Sequence, residues 1–193
     1  MTFPTQGQTS YSTTMAVAVA GMAADAYRDL DIVGYVCSES IPFGCAVTLD
    51  TTTDAGGQTV FLPKSTSSTI GTIVGVAMYV DTLQQNLAPT ANVGWPSGTM
   101  VSVCRKGRVY GALLKTATNP SPLANPNLCH ASDDTSNGGG QAKYRGFFTA
   151  ESTSTSAGIE VTALPSGFRF IRDISTTGVC LIDINLPNGT SGN

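Results

Sequence analysis

From Ile32 onward the chain is a succession of short β-branched or alternating apolar/polar runs, broken about every 8–12 residues by Gly, Pro, Asn or Ser. Ile32 to Cys37 and Phe43 to Leu49 are expected to form a first hairpin around Ile41-Pro42-Phe43-Gly44. Asp54-Ala55-Gly56-Gly57 reads as a turn into a strand from Thr59 to Leu62. Ile70 to Val80 is a long β-branched run, and Gly71 and Gly75 inside it predict a bend or bulge. Met100 to Leu114 is expected to be a hairpin: Val101 and Val103 alternate with Ser102 and Cys104, Lys106-Gly107 supplies the turn, and Val109 begins the return. Further strands are expected at Leu128 to Ala131, Tyr144 to Ala150, Ile159 to Leu164, Phe168 to Ile174 and Val179 to Ile184. Loops fall at Ser65 to Thr69, Leu83 to Pro96, Asn119 to Asn127 and Ser132 to Gln141. With no long helical pattern and no fixed repeat, the class is all-β, a sandwich or barrel.

The N-terminal stretch follows a different pattern. Residues 1–14 are polar and carry no side-chain charge, Met15 to Ala24 are small and apolar, and Asp25, Arg28, Asp29 and Asp31 form a charged knot. This predicts an N-terminal arm over residues 1–30, a β domain over 31–187 and a flexible tail over 188–193. Alanine favours helix while Ala-Val-Ala-Val alternates like a strand, so the arm is expected to be extended or to make one short turn. Its small side chains cannot build a core alone and must bury against either the chain's own sheet or another protein. Tyr11, Met15, Val17, Val19 and Met22 are the candidate contact residues, with Arg28 and Asp29 beside them at the hinge. The ten-residue run falls short of the roughly 20 residues needed to span a bilayer. No Lys or Arg precedes it, so it is read as part of the mature protein and not as a signal peptide.

Charge narrows the classes. Asp, Glu, Lys and Arg make up 12% of the 193 residues, against about 25% in typical domains. Ser and Thr fill the gap, which suits pleated, half-exposed faces and surfaces held against other proteins. The net charge of −3 and the lack of a sustained basic run argue against nucleic acid or an anionic membrane as partner. The five cysteines include no C-x-x-C pair and read as reduced, buried small hydrophobes. Cys37 and Cys45 flank the Pro42-Gly44 turn, where a cross-hairpin disulfide is the alternative.

Catalytic and metal-binding patterns are weak. His130 is the single histidine, and a strand would point it away from its neighbour Cys129, which disfavours a nucleophile–base pair. Asp133, Asp134 and Asn137 could offer oxygen ligands, but without the spacing of a calcium loop. Gly138-Gly139-Gly140 is followed by Gln141, so it is no phosphate loop. Arg105-Lys106-Gly107-Arg108 is a basic spot that is either solvated or set against an acidic partner patch. Asn188-Gly189-Thr190 matches a glycosylation acceptor in form only. No catalytic residue, metal or cofactor is expected. A carbohydrate-binding β sandwich, as on a tail fibre or adhesin, is the alternative; it would need exposed aromatics, for which Trp95 and Tyr110 are the candidates. A hydrolase would need His130 or a hidden carboxylate pair.

Several segments, in order, resemble the structural cement (decoration) proteins of tailed-bacteriophage heads. They are Val-Ala-Gly-Met-Ala-Ala-Asp at Val19 to Asp25, Ile41-Pro42-Phe43-Gly44, Gly75-Val76-Ala77, Ser97 to Tyr110, Ala163-Leu164-Pro165, Phe168-Arg169-Phe170 and Val179 to Pro187. The resemblance runs from about Ser10 to Pro187. It departs at the cysteine-rich strands and the long stretch Asn119 to Gln141. It implies a jelly-roll-like domain on the outside of the major-capsid-protein shell, assembled as dimers or trimers at symmetry or quasi-symmetry axes. It further implies a virion protein, made in the host bacterial cytoplasm, that has no catalytic residues and holds neighbouring capsid subunits against the pressure of packed DNA.

Overall fold

Among the described residues the apolar runs form twelve strands: β1 (Asp31–Cys37), β2 (Ile41–Pro42), β3 (Ala46–Leu49), β4 (Thr59–Phe61), β5 (Ile73–Ala77), β6 (Gly94–Trp95), β7 (Met100–Ala112), β8 (Asn127–Ala131), β9 (Phe148–Thr149), β10 (Ile159–Ala163), β11 (Phe168–Ile174) and β12 (Val179–Asn185). The computed structural model describes residues 19–24, 30–51, 54, 56–64, 73–80, 94–114, 123–131, 144–152, 159–164, 166–174 and 178–186, without the side chains of residues 130, 131, 159 and 172–174. Among the described residues there is no α-helix.

Seven strands make one sheet in the order β1-β4-β3-β5-β7-β12-β11. An additional β1–β7 pairing closes the first five into a barrel, leaving β12 and β11 as an extension. β8 sits between β10 and β9 in a second sheet, and β2 pairs with β6. Closure removes the free edges of the five ring strands, while the extension ends at β11.

Two cores lie on opposite faces of the same strands. Tyr35, Val47, Val60, Ala77, Val101 and Val103, drawn from all five ring strands, point inward and meet Phe43 and Trp95. Their neighbours Ala46, Val76 and Cys104 point outward into a second core with Leu128, Phe148, Phe168, Phe170 and Ile182. β3, β5 and β7 are therefore buried on both faces, which is why they read as nearly unbroken apolar runs.

The expected hairpin at Met100 to Leu114 is instead one 13-residue strand. Its N-terminal half pairs with β1, from Val36↔Met100 to Asp31↔Lys106. Its C-terminal half pairs with β12, from Asn185↔Lys106 to Val179↔Ala112. The alternation is broken by a bulge just before Lys106-Gly107: Ile32 pairs with Cys104 and Asp31 with Lys106, so Arg105 is the extra residue. The extra residue changes which alternate positions face the second core, from Cys104 before the bulge to Val109 after it. Gly107, at φ 122°, supplies the bend, and a Cβ there would collide with Leu30.

The first hairpin also differs from expectation. β1 is flanked by β4, in parallel, and by β7. β3 is flanked by β4 and β5. In a closed ring each strand has a neighbour on either edge, and the segment between β1 and β3 turns aside so that Ile41 pairs with Trp95. The turn after β3 forms as expected. Asp54 accepts hydrogen bonds from Gly56 N (2.9 Å), Gln58 N (2.9 Å) and Thr59 Oγ1 (2.8 Å). The Thr59 hydroxyl, followed by the Gln58 amide, holds the Asp54 carboxyl below its usual range.

All five cysteines are buried and unbonded, so no Cys37–Cys45 disulfide forms. Burial pushes the Cys37 thiol up to about 11 against a hydrogen bond with Thr99, Cys104 to about 11, and Cys129 to about 12. Desolvation raises Cys45 further still. One polar knot ties three segments together. Arg145 meets Glu39 through two contacts, Nη1–Oε2 at 2.9 Å and Nη2–Oε1 at 2.7 Å. Arg145 also donates to the carbonyls of Pro63 and Leu62, while Leu62 N donates to Glu39 Oε1.

Gly107→Ala should lower stability by about 2–3 kcal/mol, because φ 122° strains any L side chain there, while the tip of Leu30 can give way. Gly98→Ala, where φ is 78° and the space is open, should cost only about 1 kcal/mol. Equal urea midpoints for the two variants would refute the bulge's role. With only 11% of the Arg145 side chain exposed, Arg145→Ala should cost about 2–4 kcal/mol by stranding Glu39 and two carbonyls; an unchanged unfolding curve would show the knot to be idle. Ellman's reagent at pH 8 should label none of the cysteines in the native protein and all five after denaturation. Unfolded thiols ionise first, so stability should fall as pH rises from about 9 towards the native values; a flat profile there would contradict this.

Candidate docking surface

Local sequence sets how the N-terminal segment meets the barrel. Val19 to Ala24 consists of small residues around Gly21, and such a segment can approach another backbone closely. Gly21 N donates to Tyr110 O at 2.6 Å and Tyr79 N donates to Gly21 O at 2.9 Å, so the segment is stitched to chain on both sides. Tyr110 N donates to Met22 O, Ala24 N donates to Arg108 O, and Ala23 forms an antiparallel bridge with Val109. Gly21 has φ 86°, and a Cβ there would lie 2.6 Å from Tyr79 N. Ala20 packs on the barrel core. Of the two burial options for the small-residue run, this part therefore lies on the chain's own sheet.

Among the candidate contact residues, Val19 and Met22 belong to this stitched segment. Met22 remains 40% exposed. Tyr11, Met15, Val17, Arg28 and Asp29 lie outside the described residues, as do Asp133, Asp134, Asn137, the triple glycine and Asn188 to Thr190.

One surface feature escaped the sequence reading, and a second was seen only in part, as the basic spot Arg105 to Arg108. The first is apolar. Met100 is 69% exposed, Ile32 46% and Val36 39%. Register sets Val36 opposite Met100, and Met100 lies over Gly34, where a Cβ would come within 3.2 Å of its sulfur. The second is charged. Arg169 pairs with Asp183, and Asp183 pairs with Arg108, giving one cross-strand row over β11, β12 and β7. Alternation puts their neighbours Phe168, Phe170, Ile182, Ile184 and Val109 in the second core, which leaves the row on the opposite face. Arg108 Nε stands 4.0 Å from Asp183 Oδ1. That nitrogen is shielded from water and makes no hydrogen bond. Beside the row, Ser166, Gly167, Arg169, Asp183 and Asn185 line an open groove of about 530 Å³. The signal was present as charges at alternate positions in Phe-Arg-Phe and Ile-Asp-Ile. Only strand pairing could bring them together.

The aromatic candidates for sugar binding do not form an exposed platform. Trp95 is buried, donates Nε1–H to Met78 O at 2.8 Å and meets Phe43 edge-on. Tyr110 is half-buried. His130 lies on β8 opposite Glu160, while the preceding Cys129 is buried; the His130 side chain is outside the described set. Among the described residues, no three of His, Cys, Asp and Glu gather in a metal-like cluster.

Comparison with known proteins gives a consistent picture. A solved structure described as the capsid of Myoviridae Phage XM1 contains a chain with the same fold. Its TM-score is 0.64 at 13% identity, over 93% of this chain and 98% of that one. Comparison with curated protein sequences finds no match. The family model described as structural cement protein (E217 gp24/Pam3 gp6) matches residues 7–185. Extending from before the stitched segment to the end of β12, that match covers most of the chain, which therefore belongs to the structural cement protein family of phage capsids.

Proposed function

We propose that this protein binds the outer surface of the assembled major-capsid-protein shell, bridges neighbouring subunits and stabilises the DNA-filled head. Membership of the cement family carries this reading, because the family's role is structural. The closed barrel, its low charge and the solvent-facing apolar residues Ile32, Val36 and Met100 support it. A protein that binds only the assembled shell stabilises it by mass action. Copies touching more than one subunit gain from effective concentration, since the second contact is made by a partner already held in place.

In this reading the protein works as a symmetric homo-oligomer, dimer or trimer, with the major capsid protein as partner. Nucleic acid, membrane and catalysis have no part. Residues 1–18, including Tyr11, Met15 and Val17, act as an arm that grips the neighbouring subunit. Val19 to Ala24 anchor that arm to the barrel through the hydrogen bonds around Gly21. The burial of Trp95 removes the chief support for the carbohydrate alternative.

The full chain should co-sediment with expanded, DNA-filled heads and not with immature ones. A variant lacking residues 1–18 should keep the wild-type unfolding midpoint and bind heads at least about tenfold more weakly. Full occupancy by the truncated chain would reject the arm's role. Failure of the intact chain to sediment with either kind of head would reject the cement reading itself.

A further inference from the structure

We infer that the outer face of β7, β12 and β11, with Arg169, Arg108 and Lys106 around Asp183, is the docking surface for an acidic segment of the shell protein. This rests on the cement reading and names which face makes one of its contacts.

The chain carries 10 Lys and Arg residues against 13 Asp and Glu. Five of the ten, Arg105, Lys106, Arg108, Arg169 and Arg172, fall within two strands, β7 and β11. Both strands pair with β12, so their bases are brought onto adjoining ladders. A net-negative protein has thus concentrated positive charge on one part of a rigid sheet.

The arrangement is preorganised. The opposite face of these strands is packed with Phe168, Phe170, Ile182, Ile184 and Val109, which fixes the backbone under each charge. Cross-strand neighbours stand about 5 Å apart, so the row Arg169–Asp183–Arg108 spans about 10 Å. Asp183 holds Arg108 only loosely, at 4.0 Å, and Arg108 Nε is left without an acceptor. The Arg108 side chain is 31% exposed, so with Asp183 held at that distance its guanidinium can take an incoming carboxylate, which its planar fork fits. Next to the row, the groove at Gly167 and Asn185 offers neutral polar lining to the backbone that carries such a carboxylate.

The chemistry also selects among occupants. Asp183, in the middle of the row, dilutes the positive field. That suits a few carboxylates at fixed spacing better than a dense phosphate backbone, which calls for many unneutralised cations. A second copy meeting the first through the same face about a two-fold axis would oppose like charges. A different polypeptide with acidic residues at the contact is complementary, and the assembled shell supplies one.

The test is head binding by full-length variants over a salt series. Arg169→Glu/Lys106→Glu should weaken binding at about 0.15 M salt at least tenfold, and should flatten the salt dependence seen in wild type. Arg169→Gln/Lys106→Gln, milder for folding, should give a smaller loss in the same direction. Lys64→Glu, which removes a cation stacked over Phe61 elsewhere, should bind heads like wild type. Wild-type affinity and salt slope in both double variants would overturn the docking surface while leaving the cement reading standing. Equal weakening by Lys64→Glu would overturn it too, since net charge alone would then be the cause. Loss of self-association by the double variants without heads would move the face to an interface between copies. Wild type that ignores heads at every salt concentration would overturn both readings.

Discussion

Strand β7 is the wall that both cores share, and most of the molecule depends on its bend at Gly107. Before the bulge it closes the barrel by pairing with β1; beyond it, it carries β12 and through it β11. One face contributes Val101 and Val103 to the barrel interior, while Cys104 and Val109 serve the second core. A regular strand of this length would keep the same alternate residues on one face throughout. The extra residue at the bulge lets both cores be filled from a single strand. Gly107 lies close under Leu30, so the start of the β domain is packed against the same point. The stitched segment Val19 to Ala24 then uses the backbone of Arg108 and Tyr110, just beyond the bend.

Such an arrangement suits a molecule that must transmit force. Strands buried on both faces have no soft side, because each core resists displacement of the wall towards the other. The Glu39–Arg145 knot adds a fixed link between the ends of β1 and β4 and the turn before β9, places where a barrel would otherwise open. In our reading, load arriving from a neighbouring subunit enters through the arm and the outer sheet faces. The segment at Gly21 passes it directly into β7 by backbone hydrogen bonds, which do not depend on long, mobile side chains.

Much of the architecture was legible in the chain. Strands at Thr59, Phe168 and Val179 lie close to where alternation placed them, and the turn at Asp54 follows from side-chain oxygen ahead of two glycines. The hairpin at Lys106-Gly107 was wrong for a definable reason. A turn and a bulge both interrupt alternation with glycine, and only the availability of partners decides between them. Here β1 and β12 took the two halves, and each pairing joins residues far apart in sequence. The same limit hid the charged row. Arg108, within the basic spot Arg105 to Arg108, lies far along the chain from Arg169 and Asp183, and the three become neighbours only through the order β7-β12-β11. Exposed Met100 was equally hidden, since a strand's apolar residues announce burial until closure decides which of them is left outside.

The distribution of charge ties fold and function together. Two cores sharing thin walls leave little room for ionised groups, because an unpaired charge between them would lack both water and a partner. That constraint fits a charged fraction of 12%, with the five cysteines, Thr48 and Thr149 at buried positions. The buried thiols behave accordingly: burial raises their pKa and keeps them neutral, so they act as small apolar groups. Apart from Asp50 and the Glu39–Arg145 knot, the charge described lies towards outer faces, and strand pairing gathers part of it into the row at Asp183. A double-core barrel thus leaves at its surface exposed apolar residues on β1 and β7 and, on β7, β12 and β11, a row of two bases about one acid. A protein that works by adhering to a lattice of other proteins needs surfaces of both kinds.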